Sequence, residues 1–189
     1  MRHDNVTQEV RSAMKRAGVA SAAEPGLQEL RRRGMQARRD TDCRGDVLFQ
    51  MESTLHVVDV SVGHPCLGTY VSHAAARDGA TAAAVEKRKE SEYKAKVDAG
   101  CYEFWPAAVE TFGRLGEKFM KLLRKLCDPA EAASKGVVTR SAFMEYTLRC
   151  ISVQLQMDNH VLEQAVAGFF ARAAGRSFDM GLARPRAEE

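Results

Sequence analysis

The spacing of apolar positions changes several times along the chain, and each change marks a new element. Val6, Val10, Met14 and Ala17 recur every three or four residues behind Asp4 and Asn5, which predicts an amphipathic helix over about residues 5–17, stopped by Gly18. Residues 19–23 fit a short strand, and from Glu24-Pro25-Gly26 to Cys43 no period survives, so that segment reads as a long, mobile, basic loop. DVLFQ (46–50) and LHVVDVSV (55–62) are β-branched runs separated by Met51-Glu52-Ser53-Thr54, the pattern of a hairpin.

Beyond the breaker Gly63-His64-Pro65, an Ala-rich stretch at about 72–98 predicts one long helix closed by Gly100. FWPAAVE (104–110) is the third main strand, and Pro106 places it at a sheet edge or a bulge. Phe112, Leu115, Phe119, Leu122 and Leu126 predict a helix that ends before Asp128-Pro129. Two further helices are expected at about 139–156 and 159–174, followed by a disordered tail. The order of elements predicts an α/β fold with a small mixed sheet. The expected organisation is an α/β core over 1–127, a helical extension packed on it over 128–174, and a tail over 175–189.

Composition narrows the class. At 189 residues, 45% hydrophobic and 28% charged, the chain suits one folded domain and excludes a collagen-like or wholly disordered protein. No apolar run approaches the ~20 residues that cross a bilayer, and MRHDNVTQEV lacks the apolar core of a signal peptide, so the expectation is a soluble, intracellular protein without a membrane partner. The net charge of +3 is too small to name a partner, but its distribution is uneven. Residues 1–45 hold ten Lys or Arg against six acids, and residues 114–125 hold five against one. Both segments are candidate polyanion contacts, or else solvated faces kept soluble by charge. The five cysteines form no CxxC pair, which points to reduced, mostly buried thiols. His56, His64, Cys66 and His73 lie close in sequence without a metal-ligand spacing.

Asp59 is the first anomaly, because an ionised carboxylate inside VVDVSV is costly to bury unless a cation or hydrogen-bond donors meet it. Asp46 opens the partner strand, and pairing 47–50 with 55–58 brings the two acids side by side. Two such hard oxygen ligands suit Mg²⁺, although Asp46 also fits a strand-entry turn. Val85, Lys89, Tyr93 and Val97, spaced by four, share one helical stripe, so Lys89 points inward beneath the hairpin or snorkels from its edge.

The segments CRGDVLF, VVDVSVGHP, AAAVEKRKESEY and FWPAAVETFGRLG, in this order, resemble the restriction-like endonuclease downstream of the reverse transcriptase in non-LTR retrotransposons. That endonuclease is a branch of the PD-(D/E)XK nuclease superfamily. The family pattern is an Arg-Pro-Asp strand, an Asp-Val-Thr-Val strand, an Ala-rich helix with a lysine ahead of a tyrosine, and a Phe-Val-Pro strand running into Glu-Thr-Phe-Gly. The resemblance covers about Arg2 to Arg172, and FWPAAVETFGRLG is its most specific piece.

The resemblance implies a restriction-endonuclease-like αβββαβ core followed by C-terminal α-helices. It implies Asp46 and Asp59 as metal ligands, Lys89 as the catalytic lysine, and Glu24 as an acid that could complete the metal site, although a loop glutamate pairing the Arg patch is the stronger reading there. Mg²⁺ or Mn²⁺ is the expected cofactor, with DNA and the element's RNA as partners in the nucleus. Arg31, Arg32, Arg33, Arg38 and Arg39 are the expected phosphate grip. The activity expected is a nick that exposes a 3′ hydroxyl to prime reverse transcription. Three departures stand out: Gly45 replaces the proline of Arg-Pro-Asp, Ser61 stands where a lysine is usual, and no Cys-Cys-His-Cys knuckle precedes the domain. The alternatives are a piece of a larger polyprotein or a catalytically inactive remnant that binds nucleic acid, and, from another class, a module that interacts through its C-terminal helices.

Overall fold

The computed structural model of the 189-residue chain describes residues 2–24, 45–96 and 102–173. The elements are α1 (Arg2–Arg16), β1 (Ser21–Ala23), β2 (Val47–Met51), β3 (Thr54–Gly63), α2 (Val71–Ala76), α3 (Ala80–Lys96), β4 (Tyr102–Glu110), α4 (Glu117–Lys125), α5 (Cys127–Ala133) and α6 (Arg140–Ala173). The strands form one mixed sheet in the order β1-β2-β3-β4. The first three are antiparallel neighbours, and β4 joins β3 in parallel after the crossover through α2 and α3.

Strand β3 has neighbours on both sides, which explains why its sequence is a nearly continuous apolar run rather than a strict alternation. Its even positions face one layer: Val58 and Val60 join Val47 and Phe49 of β2 against Val6, Val10 and Met14 of α1. Phe119 and Leu122 of α4 and Phe143, Ile151 and Leu155 of α6 belong to the same core. On the opposite face, Leu48 and Val57 pack with Tyr93 of α3, whose ring stacks on Phe104 at 3.8 Å between centroids. Strand β4 ends the sheet among the described residues, with β3 as its one strand neighbour there, so Pro106, which has no N–H to donate, sits at an edge.

Three sequence expectations are corrected, and one unpredicted helix is added. The Ala-rich helix is two helices, because Gly79 at φ +74° turns the chain between α2 and α3. The helix expected from Phe112 begins only at Glu117; residues 111–116 are a turn containing Gly113 at φ +95°, and Phe112 is exposed. That helix, α4, ends at Lys125, before Asp128-Pro129 as expected, but a separate short helix, α5, follows and carries Pro129 in its first turn, where a missing N–H costs nothing. The two C-terminal helices are one, α6, of 34 residues, because Asp158 and Asn159 make tertiary hydrogen bonds instead of breaking it. The expected tail over 175–189 lies outside the described residues.

Candidate functional site

The hairpin register brings the two acids together. Its last paired residues are Val47 and Val58. One step further out, the Asp46 backbone N–H donates to the Val58 carbonyl at 2.8 Å, and Asp46 Oδ2 accepts the Val60 N–H at 2.5 Å. Asp46 is thereby bonded to both residues that flank Asp59, and the two carboxylates line one cleft of about 840 Å³. Strand β3 delivers Asp59 to the α3 face of the sheet because it is an odd position, and α3 answers with Lys89. Lys89 Nζ donates to Asp59 Oδ2 at 2.9 Å, with the two side chains 28% and 16% exposed. Val85 and Tyr93, on either side of Lys89 in the same stripe, are buried, so the inward reading of that stripe describes the fold.

Burial pushes the Asp59 carboxyl above its ordinary pKa; the Lys89 bond and charge pull it back, and the neighbouring Asp46 charge adds to the rise. Sequence reasoning missed His3. Its Nε2 lies 3.0 Å from Asp46 Oδ2 and its Nδ1 3.1 Å from Asp4 Oδ1. Burial opposes a charge on this ring, but the bonds and charges of Asp4 and Asp46 outweigh it and raise its pKa. No pattern in the sequence could connect residues 43 positions apart. Arg2 and Arg88 also line the cleft, and Asp46 and Asp59 are its only acids among the described residues.

Glu24 is placed differently from the expectation. Its backbone N–H donates to the Asp46 carbonyl at 2.8 Å, but it has left the strand at φ +43°, its side chain is exposed, and it does not line the cleft. Arg31, Arg32, Arg33, Arg38 and Arg39 lie outside the described residues. The other basic segment is largely neutralised: Lys118 pairs with Glu90, Lys121 with Glu117 and Lys125 with Glu103. Cys127 is buried and Cys150 half-buried, whereas Cys66 is exposed; all three are free thiols.

Two buried acids also went unread. Glu110, at the end of β4, accepts the N–H groups of Thr81 and Ala82, the first-turn donors of α3, at 3.0 and 3.1 Å. Glu86, on α3, accepts those of Lys118 and Phe119, the first-turn donors of α4, at 3.0 and 3.1 Å. Each helix is capped by a carboxylate from another element, and Gly116 is bare because a Cβ there would fall on the Glu86 carboxylate. Much of FWPAAVETFGRLG thus has a structural task. Glu110 caps α3, Thr111 anchors the chain through Gly63 and Asn159, and Gly113 and Gly116 shape the turn.

No group of three or more His, Cys, Asp or Glu among the described residues is gathered to hold a metal ion. Carboxylate oxygens are the donor type that a hydrated hard cation takes, and one or two of them can suffice beside waters. Their hydrogen bonds among the described residues engage Oδ2 of each. No helix among the described residues is long and apolar enough to cross a membrane. The fold and site define an α/β protein with a four-stranded mixed sheet whose cleft joins two carboxylates to a lysine. No protein-family model matches the chain, and no curated protein does.

Proposed function

We propose that the cleft is the active site of a metal-dependent DNA endonuclease of the PD-(D/E)XK kind. In this reading the chain derives from a non-LTR retrotransposon, and its nick primes reverse transcription. The observation that carries the reading is the convergence of Asp46, Asp59 and Lys89, from the entry to β2, from β3 and from α3, on one cleft. A half-buried carboxylate beside a second one is disfavoured in the absence of a cation, and such pairs mark functional sites more often than packing. Asp46 and Asp59 would hold Mg²⁺ or Mn²⁺, and an ion there supplies positive charge against the scissile phosphodiester and acidifies attacking water. Lys89 Nζ, 2.9 Å from Asp59, then donates to a phosphoryl oxygen and offsets its developing charge. Arg2 and Arg88 hold the strand, and Arg31, Arg32, Arg33, Arg38 and Arg39 grip flanking phosphates, with element RNA as a second nucleic-acid partner.

The test is Mg²⁺-dependent nicking of supercoiled plasmid. Asp59→Asn is expected to abolish it while leaving the melting temperature in metal-free buffer unchanged or raised, because the folded environment disfavours the charged form. Lys89→Ala is expected to lose cleavage and keep Mg²⁺ binding. Nicking that survives both substitutions overturns the site assignment. The Lys89–Asp59 ion pair itself favours one other reading, a catalytically silent remnant in which the lysine merely neutralises the acid. That reading expects no nicking by the unaltered protein and a loss of about 1–3 kcal/mol on Asp59→Asn.

A further inference from the structure

Gly63-His64-Pro65 closes β3 and holds a ring in the cleft with more care than packing requires. Gly63 lets α3 approach bare backbone, since a Cβ there would meet Thr81 Cγ2 at 2.8 Å, and Pro65 is buried. Between them, His64 is half-buried and lines the cleft. Its Nδ1 lies 2.8 Å from Thr111 Oγ1. Thr111 is itself fixed: it is 3% exposed, its N–H donates to the Gly63 carbonyl at 2.8 Å, and its carbonyl accepts from Asn159 Nδ2 of α6 at 2.8 Å. The ring partner of His64 among the described residues is Phe112, edge-on at 5.8 Å and 64% exposed, so burial of apolar surface does not explain the arrangement.

The Thr111 contact engages Nδ1, which leaves Nε2 as the ring nitrogen that can donate to a ligand. We propose that His64 is a second nucleic-acid contact of the cleft, donating from Nε2 to a phosphodiester oxygen remote from the acid pair. The proposal rests on the DNA-endonuclease reading of the same cleft. Five residues of extended chain separate His64 from Asp59, about 16 Å, and a DNA strand advances about 3.4 Å per nucleotide. That span is the most the chain allows, so the contacted phosphate lies within about five nucleotides of the bond held at Asp46 and Asp59. Apart from Asp46 and Asp59 the ionisable side chains of the described cleft lining are Arg2, His3, His64, Tyr70, Arg88 and Lys89, so an anion away from the acid pair meets no further carboxylate there.

The experiment is fluorescence anisotropy with an end-labelled DNA duplex in EDTA, which measures binding independently of cleavage. His64→Ala is expected to raise Kd about tenfold to a hundredfold, the loss of one hydrogen bond to a charged acceptor. The slope of log Kd against log salt should change less than in Arg88→Ala, which should reduce it by about 0.9. His64→Gln, which keeps a donor, should recover part of the loss, and Thr111→Val should give a smaller loss in the same direction. Scanning single methylphosphonates along the duplex should find one position that weakens the unaltered protein and not His64→Ala. A Kd for His64→Ala within twofold of the unaltered protein, with matching melting temperatures, overturns the proposal. His64-dependent binding by a protein that never nicks in Mg²⁺ would support this contact and remove the nuclease reading; absence of DNA binding removes both.

Discussion

Asp59 and Glu86 are both carboxylates withdrawn from water, and burial raises both above their ordinary pKa, but the fold compensates them differently. Glu86 is met by backbone N–H groups and is consumed by a helix terminus, whereas Asp59 is met by one lysine and stays open to the cleft. His56 is a third case. It is fully buried, takes the Trp105 indole N–H on Nδ1 at 3.1 Å, and stacks on Phe49 at 4.6 Å. Burial, helped by the Lys125 charge, lowers its pKa. The unfolded chain therefore binds the proton more readily, so the stability due to His56 is present above the ordinary imidazole value of 6.5 and is lost as pH falls through the window below. His3, whose pKa is raised, contributes with the opposite sign, so the informative quantity is a difference between two proteins. Thermal melts from about pH 7.5 to 5 should show a weaker acid loss in His56→Gln than in the unaltered chain. Parallel profiles would mean that the buried ring is protonated without cost.

Among the elements, α3 and α4 share an unusual dependence: neither is capped by its own N-cap side chain. Glu110 locks α3 to the end of β4, and Glu86 locks α4 to α3, so the position of Lys89 is tied through two carboxylates to both the sheet and the next helix. Glu86→Ala leaves two N–H groups without their carboxylate and should cost about 1–3 kcal/mol in urea unfolding. Glu86→Gln, which retains an acceptor, should cost less. Gly116→Ala should approach the effect of Glu86→Ala, because the added methyl displaces the same carboxylate. A Gly116→Ala protein as stable as the unaltered one would show that the cap is dispensable.

For the whole molecule, the question is how far α6 belongs to the fold. Its first half is part of the core through Phe143, Ile151 and Leu155, and Asn5 of α1 reaches Asp158 at 2.7 Å. Over residues 159–170 none is buried, and Phe169 and Phe170 are 63% and 64% exposed. Leu155→Ala should therefore cost about 2–5 kcal/mol, and Phe169→Ser should change stability by no more than about 0.5 kcal/mol. Equal losses at both positions would mean that the second half of α6 is covered in solution.

What the sequence by itself determined was local. The period of α1, the β-branched runs of the hairpin, the edge position of β4 and the inward stripe of Val85, Lys89 and Tyr93 are all set by neighbours within a few residues, where backbone geometry turns spacing directly into direction. The pairing of Asp46 with Asp59 was legible for the same reason, since a short hairpin leaves few registers. Element boundaries were misread where a tertiary partner outweighed local preference: Asn159 is kept helical by its bond to Thr111, and Gly79 interrupts an Ala-rich run whose composition favours continuity. Only the tertiary structure brought His3 to Asp46, Thr111 to His64, and Glu86 and Glu110 to helix termini about thirty residues away. Each of these is a hydrogen-bonded contact of one or two backbone or side-chain groups closed across a long loop, and such a contact leaves no periodic trace because its partners are chosen by the packing of whole elements rather than by their neighbours in the chain.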